Sequence, residues 1–384
     1  MLDFIPEKIL KVLPIDINFG AGSVEKVGEA VRKFGARPLV VIGKGSAKDS
    51  GALDSVAASI EKAGLEWELF EGVEPDPSVD TVARIIDTIK TGKHDIAIGL
   101  GGGSAMDAAK VAARDARNVR SVAVTTTSGT GSEVTRYAVL SIPSEGRKYI
   151  QVDIRLLTAV SITDPALTLS CPPELTAVTG LDTLTHHIEG YFNIKARPGA
   201  DPLALKGAAT VMEHLEAAFR DGSDMDARVG MSKASLSGGV VIHFKPAGLP
   251  HGFSYSFYNM LPHGKAVATL LPYCWVYYAP VIKERSIRAA EAIGVDAAKM
   301  SPREAALAGA EVLWKLYEKL GQPATIDGVD GVDDAFVERA VNNILSDSAK
   351  LEATPRRPDP DRGFDEFCAI LNAARTGDIE KVPN

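Results

Sequence analysis

The chain has 384 residues and a formal net charge of −8, and 45% of its residues are hydrophobic. These values are ordinary for a globular enzyme with two domains, since one domain takes roughly 100–200 residues. The acidic balance argues against binding to nucleic acid or to an anionic membrane, because both need a basic surface. The three cysteines lie far apart, which argues against a disulfide framework or a cysteine-rich zinc site and favours a cytoplasmic location.

Short apolar runs typical of buried strands alternate with helical patterns over residues 1–165. The strand-like runs are PLVVIG at 38–43, EWELFEGV at 66–73, HDIAIGLGGG at 94–103 and SVAVTTT at 121–127. The helical patterns are SVAASIEKAGL at 55–65, TVARIIDTIKTGK at 81–93 and SAMDAAKVAARDA after the glycine run. This alternation predicts a parallel sheet with helices on its faces.

The remaining residues have almost no strand signals. Long amphipathic patterns such as PLALKGAATVMEHLEAAF and REAALAGAEVLWKLYEKLG predict a helical bundle. The change falls near Ile162–Thr168, so we expect an α/β domain over 1–165 and an all-helical domain over 166–384. The longest run without a charged residue or a histidine, 266–282, is shorter than the ~20 residues of a membrane-spanning helix, and we interpret it as core.

Two loops rich in small residues follow predicted strands. In DIAIGLGGGS at 95–104, the glycines precede a helix, so backbone N–H groups and the helix dipole can face a pyrophosphate. The same glycines suit a tight turn with positive φ angles, so both interpretations stay open. The loop TTTSGTGSEVT at 125–135 offers hydroxyl and N–H groups to a cofactor, or is a polar surface loop.

A third loop, at the end of the strand PLVVIG, bears on the choice between NAD and NADP. Gly43 stands where an acidic residue would bind a ribose 2′-hydroxyl, and Lys44 follows it. A glycine leaves room for a 2′-phosphate and the lysine can pair with it, which gives a slight preference for NADP. Because open α/β sheets bind ligands at the carboxyl ends of their strands, the three loops together predict one cofactor lying across that edge.

A separate group of residues has the chemistry of metal ligands. Asp182 and His186 are four residues apart in a predicted helix and project from the same face. With His251 and His263 they offer one carboxylate and three imidazoles, a set that suits Fe²⁺ or Zn²⁺. The alternative is that Asp182 and His186 are a surface pair, since one sequence does not show whether the segments meet. We interpret His187 as a bystander or a packed residue.

The segments DINFGAGSVEKVGE, IGLGGGSAMDAAK, TTTSGTGSEVT, DPALTLSCPPELTAVTGLDTLTHHIEGY and LPHGKAVATLLP occur in this order. With them the chain resembles, from end to end, the iron-containing (group III) metal-dependent alcohol dehydrogenases. The resemblance implies a dehydroquinate-synthase-like architecture, with an α/β dinucleotide-binding domain, an all-α domain and a metal in the cleft between them. It implies hydride transfer between NAD or NADP and a primary alcohol or aldehyde, with a divalent metal, Fe²⁺ ahead of Zn²⁺, polarising the substrate oxygen.

The resemblance also assigns roles to individual residues. It implies that the four metal ligands are Asp182, His186, His251 and His263. The expected cofactor-binding residues, including the two at the end of the strand PLVVIG, are Gly43, Lys44, Asp76, Gly101, Gly102, Gly103, Ser104, Asp107, Thr125, Thr126, Ser128, Ser132 and Lys148.

Three departures from the family pattern matter. Tyr255 stands where many members have a histidine that assists proton transfer, so the proton relay stays open among Tyr255, water and the cofactor ribose. Asp76 replaces a family asparagine, and its charge would repel a 2′-phosphate, which weakens the preference for NADP. His243 and Lys245 lie where the family is small and neutral. We expect a solvent-facing helix end there, with selection of an anionic substrate by Lys245 as the alternative.

Two other functions share parts of this pattern. A metal- and NAD-dependent lyase or cyclase of the dehydroquinate-synthase type would have the fold and the metal but no net cofactor turnover. A non-catalytic nucleotide-binding protein would have the loops but would not need the complete ligand set. We expect a small-molecule alcohol or aldehyde as the substrate, no nucleic-acid or membrane partner, and a homo-oligomer, by default a dimer.

Overall fold

The computed structural model describes residues 2–193 and 199–384. The strands are β1 (Asp16–Phe19), β2 (Pro38–Ile42), β3 (Glu68–Phe70), β4 (Ile96–Gly101), β5 (Arg120–Thr125), β6 (Tyr137–Ile142), β7 (Arg147–Val152) and β8 (Val160–Thr163). The helices are α1 (Glu7–Leu10), α2 (Val27–Arg32), α3 (Ser46–Asp49), α4 (Ala52–Lys62), α5 (Val79–Gly92), α6 (Gly103–Ala116), α7 (Pro173–Phe192), α8 (Ala200–Arg220), α9 (Met225–Phe244), α10 (Leu249–Ser254), α11 (His263–Ile282), α12 (Glu284–Ala292), α13 (Pro302–Lys319), α14 (Asp334–Ser346), α15 (Ser348–Ala353) and α16 (Gly363–Thr376).

Six strands form one parallel sheet in the order β1-β8-β5-β4-β2-β3. Successive side chains of a strand point to opposite faces, and in β2 Val40 and Ile42 join one apolar layer whereas Leu39 and Val41 join the other. Helices α2 and α4 cover the first layer, and α5 and α6 cover the second. The prediction of a parallel sheet with helices on both faces is confirmed. The outer strand β1 and its neighbour β8 were not predicted.

The strands β6 and β7 form an antiparallel hairpin outside the parallel sheet, which the sequence analysis did not predict. The hairpin is anchored beside the loop that follows β3, because the N–H of Ser141 donates to the carbonyl of Pro77 at 2.9 Å. It also packs against α6. This placement brings residues of β7 close to the start of α6, where the glycine-rich turn lies.

The part of the chain described after β8 is helical, as predicted, with no strand in residues 166–193 and 199–384. Helix α7 is buried along most of its length, and it packs on α8, α9 and α11. Helix α11 continues through Pro272 and Pro280, and the uncharged run 266–282 belongs to the buried core as expected. None of the helices in the described residues is long and apolar enough to cross a membrane.

The loop after β5 touches α9 at a contact that requires glycine. Gly131 has a φ angle of 61°, and a Cβ atom added to it would lie 2.4 Å from the Cα atom of Gly239. A larger residue at Gly131 would therefore meet backbone in an unfavourable conformation. The contact fixes the threonine-rich loop against the helical part of the molecule.

Candidate metal centre and cofactor site

The three predicted loops lie at one edge of the parallel sheet. Strands β2, β4 and β5 are neighbours, with Ile42 paired to Leu100 and Gly101 paired to Thr125. The loops that follow them, the first of which begins at Gly43, therefore start side by side at the carboxyl edge. This is the edge at which open α/β sheets bind nucleotides.

The turn between β4 and α6 needs glycine at two positions. Gly101 has a φ angle of 147°, and a Cβ atom on Gly103 would lie 2.7 Å from the side chain of Thr130. Helix α6 begins without a side-chain hydrogen bond from its N-cap residue, Gly102. The N–H groups of its first turn are therefore available to an anionic ligand.

A cavity of about 670 Å³ opens in front of this turn, bounded by the β6–β7 hairpin and by residues of α7, α9, α10, α11 and α15. The predicted site residues that line it are Asp76, Gly103, Ser104, Asp107, Ser132, Lys148, Asp182, His186, His251, Tyr255 and His263. The predicted residues outside its lining, within the described chain, are Gly43, Lys44, Gly101, Gly102, Thr125, Thr126 and Ser128.

Two of the hydroxyls outside the lining have protein partners. The hydroxyl of Thr125 donates to the carbonyl of Thr127 at 2.9 Å, and the hydroxyls of Ser128 and Ser232 are 3.2 Å apart. Both Thr125 and Ser128 are buried. Their hydrogen bonds hold the threonine-rich loop in shape rather than leaving the hydroxyls open to the cavity.

The carboxylate and the imidazoles predicted to bind metal come together on one wall of the cavity. Asp182 Oδ1 lies 3.6 Å from His186 Nε2, 3.5 Å from His251 Nε2 and 3.9 Å from His263 Nε2. Ligand atoms of Asp182, His251 and His263 all lie within 4.8 Å of one another. His186 lies beside this group, with its ring stacked on that of His251 at 4.8 Å between centroids.

Two further side chains orient the histidines, and the sequence analysis missed both. Glu189 Oε2 accepts a hydrogen bond from His251 Nδ1, and its Oε1 accepts from the N–H of Gly248 at 2.8 Å. The hydroxyl of Ser254 donates to the carbonyl of His251 at 2.7 Å and lies 3.1 Å from His263 Nδ1. With Nδ1 of each ring engaged in this way, the Nε2 lone pairs face Asp182.

A sequence signal for Glu189 did exist. It follows His186 by three residues and Asp182 by seven, which are the spacings of one helix face.

The electrostatics of the cluster fit a divalent cation. Asp182 Oδ1 and His251 Nε2 are buried and have no hydrogen-bond partner among the described residues. Burial lowers the pKa of His186 to about 4 and that of His263 to about 3, so both rings are neutral at pH 7 and can donate lone pairs. Burial also opposes the charge of His251, but the carboxylates of Glu189 and Asp182 outweigh it and raise the pKa of that ring to about 9, so a metal ion would have to displace its proton. Burial opposes the charge of Asp182, but the three histidines outweigh it and hold its pKa below the ordinary value. One carboxylate with three imidazoles is a donor set for Fe²⁺ or Zn²⁺.

The charge of Asp76 is paired within the protein. Its carboxylate lies 2.9 Å from the ammonium of Lys148, and its backbone N–H donates to the hydroxyl of Ser104 at 3.3 Å. Asp76 has a φ angle of 53°, a conformation that Asp and Asn adopt more readily than most residues. Lys148 therefore balances the charge of Asp76, which corrects the expectation of an unpaired negative charge that would repel a 2′-phosphate.

Asp107 and Ser132 are joined in a buried network. The hydroxyl of Ser132 donates to Asp107, whose other oxygen accepts from the N–H of Val139 at 2.8 Å. The ammonium of Lys110 donates to both the hydroxyl and the carbonyl of Ser132 at 2.9 Å. This network connects α6, the threonine-rich loop and β6, so these side chains hold together the part of the cavity wall that they line.

The expectation of a solvent-facing end at His243 and Lys245 is wrong. Both residues are buried, with Lys245 fully so. The Lys245 ammonium pairs with Asp201, which also accepts from Arg285 at 2.6 Å. The charge of Lys245 is thus paired within the protein, and the residue lies outside the cavity lining. The structure therefore gives no support to the alternative that Lys245 selects an anionic substrate.

His187 is a packed residue, which is one of the two roles that we considered for it. It is fully buried, and its Nε2 atom lies 2.9 Å from the carbonyl of Ala234.

Tyr255 lines the cavity next to the metal cluster. Its ring is stacked on that of His263, with 6.2 Å between centroids and 9° between the planes. Lys350, which the sequence analysis missed, lines the same part of the cavity and holds its ammonium 5.1 Å from the centre of the Tyr255 ring. Burial raises the pKa of the Tyr255 phenol despite this cation, so the phenol is protonated at pH 7.

The fold and the site together indicate the class of this protein. A glycine-rich turn at the edge of a parallel sheet, beside a cluster of one carboxylate and three histidines, is typical of enzymes that use a metal and a nucleotide cofactor. Family models narrow the class: the model for "Iron-containing alcohol dehydrogenase" matches residues 14–165, and that for "Fe-containing alcohol dehydrogenase family, C-terminal" matches residues 176–370. The chain belongs to the iron-containing alcohol dehydrogenase family. Its function is metal-dependent oxidoreduction of alcohols with NAD(P), and the lyase alternative is not favoured.

Individual relatives agree with this assignment. The chain is 33% identical to the NADPH-dependent butanol dehydrogenase of Clostridium saccharobutylicum over 74% of its own length and 77% of the relative. It is 30% identical to the NAD-dependent methanol dehydrogenase of Bacillus methanolicus, over 88% and 93% of the two chains. The crystal structure of a 1,3-propanediol oxidoreductase superposes with a TM-score of 0.87 at 31% identity, covering 94% of this chain and 97% of the other.

Proposed function

We propose that the cavity is the active site of a dehydrogenase for primary alcohols and the matching aldehydes, with the metal held by Asp182, His186, His251 and His263. The observation that carries the proposal is the convergence of three imidazoles on one buried carboxylate oxygen that has no protein hydrogen-bond partner among the described residues. A buried carboxylate oxygen without a partner is costly unless a cation satisfies it.

The residues of the chain have separable roles in this proposal. When bound, the metal supplies Lewis-acid polarisation of the substrate oxygen and the nicotinamide accepts or donates hydride. Glu189 and Ser254 fix the orientation of two imidazoles through their Nδ1 atoms. The N–H groups in the first turn of α6 would hold the cofactor pyrophosphate. The ring of Tyr255 is stacked on that of His263, and Tyr255 is our candidate for the group that passes the alcohol proton towards solvent.

NADP is the cofactor that we favour slightly over NAD. A Cβ atom on Gly43 would have one neighbour within 4 Å, the carbonyl of Val73 at 3.5 Å, so the end of β2 is open enough for a 2′-phosphate. Lys44 is exposed at the same strand end, and the charge of Asp76 is balanced by Lys148. The names of the two relatives divide between NADPH and NAD, so kinetics with both cofactors decide the point.

The remaining features of the enzyme follow from the same proposal. We favour Fe²⁺ over Zn²⁺, a homo-oligomer that is by default a dimer, and a cytoplasmic location, which the three free cysteines support. We place the boundary between an α/β domain and a helical domain at residues 165–166. The end of β8 at Thr163 and the start of α7 at Pro173 support that boundary.

A substrate panel tests the function. Protein reconstituted with Fe²⁺ or Zn²⁺ is mixed with short primary alcohols and with NAD or NADP, and reduced nicotinamide is followed by its absorbance. We expect net cofactor reduction, loss of turnover after chelation, and recovery when the metal is returned. Full turnover in chelated protein contradicts the metal assignment, and product formation without net cofactor reduction supports the lyase alternative.

A further inference from the structure

Lys350 is a charged residue in the cavity that the proposed chemistry does not use. The short helix α15 places it there with 9% of its surface exposed. We propose that Lys350 binds a carboxylate at the far end of the substrate. The preferred substrates of this enzyme are then short ω-hydroxy carboxylates and the corresponding aldehyde acids. This inference rests on the proposed function of the cavity.

The charge of Lys350 lacks a carboxylate partner. Its ammonium interacts with the ring and the hydroxyl of Tyr255, and it enters no ion pair within residues 2–193 and 199–384. Lys148, the other lysine in the cavity wall, is paired with Asp76 at 2.9 Å. Holding an ammonium nine-tenths buried without an ion-pair partner is unfavourable, and a bound carboxylate would relieve that cost.

Two acidic residues of the cavity lining, Asp347 and Glu352, are close to Lys350 in sequence, and neither forms an ion pair with it among the described residues. The carboxylate of Asp347 accepts a hydrogen bond from the backbone N–H of Lys350 at 3.0 Å, as the N-cap of α15. Its interaction is thus with the backbone at the start of the helix rather than with the lysine side chain.

The position of Lys350 sets the length of the substrate. The ammonium is 5.1 Å from the centre of the Tyr255 ring, and that ring is 6.2 Å from the ring of His263. The ammonium therefore lies within about 11 Å of the His263 ring, on the side of the cavity that holds the metal cluster. Because this distance is an upper limit, and an extended chain reaches roughly 1.2 Å per bond, an alcohol oxygen at the cluster and a carboxylate at Lys350 are joined by at most about six carbons.

Arg136 is a third cation of the cavity lining, beside Lys350 and Lys148. Arg136 precedes β6, on the α/β side of the cavity, and its guanidinium lies 5.8 Å from the ring of Tyr137. Lys350 contacts the ring of Tyr255, which is itself stacked on His263 of the metal cluster. An alcohol bound at the cluster can therefore reach Lys350 with its other end.

The carboxylate takes no part in the chemistry. The C–H bond of the alcohol carbon breaks and its electron pair leaves as hydride to NAD(P)⁺. The hydroxyl proton passes to solvent, and the products are the aldehyde acid, NAD(P)H and H⁺. Lys350 is thus a specificity residue rather than a catalytic one.

Kinetics of the metal-reconstituted enzyme test the proposal. For the wild type we expect kcat/KM for 4-hydroxybutyrate to exceed that for 1-butanol at least tenfold, through a lower KM. In Lys350→Met the ratio of the two kcat/KM values falls about 10–100-fold, the usual range for a charge-assisted hydrogen bond. Lys350→Arg keeps most of the preference, and Lys319→Met, a surface control outside the cavity lining, leaves the ratio as in the wild type.

Inhibition by butyrate gives a readout that does not depend on turnover of the hydroxy acid. We expect butyrate to compete with 1-butanol in the wild type and to lose that effect in Lys350→Met. Equal kcat/KM values for 4-hydroxybutyrate and 1-butanol in the wild type, without inhibition by butyrate, overturn the proposal even if the variant does not fold. Failure to oxidise either alcohol with either cofactor overturns the proposed function itself.

Discussion

Substitution of Glu189 tests whether its carboxylate orients His251 for metal binding. Glu189 is buried, and its two oxygens accept from His251 Nδ1 and from the N–H of Gly248. The substitution Glu189→Gln keeps one acceptor oxygen and replaces the other with an NH₂ group. If the amide oxygen stays on Gly248, the NH₂ group meets the Nδ1 proton of His251, and the ring must move its proton to Nε2 to relieve the contact.

That tautomer removes the lone pair that faces Asp182. Loss of a carboxylate that orients a metal-bound histidine costs about 10–100-fold in metal affinity, which corresponds to about 1.4–2.7 kcal/mol. We therefore expect the dissociation constant for Zn²⁺ or Fe²⁺ to rise by that factor in Glu189→Gln, with turnover regained at saturating metal.

The assay is a titration of metal-free protein with Zn²⁺ against a competing chelator. Glu174→Gln is the matched control, because Glu174 lies on the same helix with 65% of its side chain exposed. Its metal affinity should equal that of the wild type. If Glu189→Gln binds the metal as tightly as the wild type, the carboxylate does not position His251 and our account of the cluster fails.

Three further predictions concern stability and charge. Gly131→Ala lowers the free energy of unfolding by about 2–5 kcal/mol, because the new methyl group meets Gly239 and the residue must also hold a strained positive φ. Gly146 has the same φ of 61° but no neighbour within 4 Å, so Gly146→Ala is the control and should lose only the strain of about 1–2 kcal/mol. Thermal unfolding of both variants measures the difference. Burial raises the pKa of Glu133 from 4.5 to about 7, so the folded state holds its proton more tightly and stability falls by up to about 3 kcal/mol as pH rises from 4.5 to 7. Denaturant unfolding of Glu133→Gln should lack that fall; the same fall in wild type and variant contradicts the assignment. Lys245→Met lowers the stability of the fold because Asp201 loses one partner, yet the ratio of kcat/KM for 4-hydroxybutyrate to that for 1-butanol should stay as in the wild type. A lower ratio in the variant would show that Lys245 does contribute to substrate selection.

Local patterns in the sequence were sufficient for much of the fold. The apolar run of β2 and the glycines before α6 predicted elements correctly because each depends on its own residues. The edge pairing of β1 with β8 was missed, because it joins residues more than a hundred positions apart and neither four-residue strand has a strong pattern. The β6–β7 hairpin was missed for a related reason, since its residues form a separate small sheet rather than continuing the alternation.

The site divides in a similar way. Asp182 and His186 could be predicted from helical spacing. Glu189 lies on the same helix face and could have been predicted from the same spacing, but it was not among the predicted site residues. The burial of lysines could not be predicted: Lys245 is enclosed by an ion pair with Asp201, which comes from another helix, while Lys350 is carried into the cavity by a short helix near the end of the chain. Which lysine meets the substrate depends on packing between distant segments.

Anomalous diffraction from crystals of reconstituted protein, at the absorption edge of iron or zinc, tests the central claim most directly. We expect one peak between Asp182 Oδ1 and the Nε2 atoms of His186, His251 and His263, at distances of about 2.0–2.2 Å from each. A peak bound elsewhere, or no peak in protein that oxidises alcohols with NAD(P), would contradict the assignment of this cluster as the metal centre.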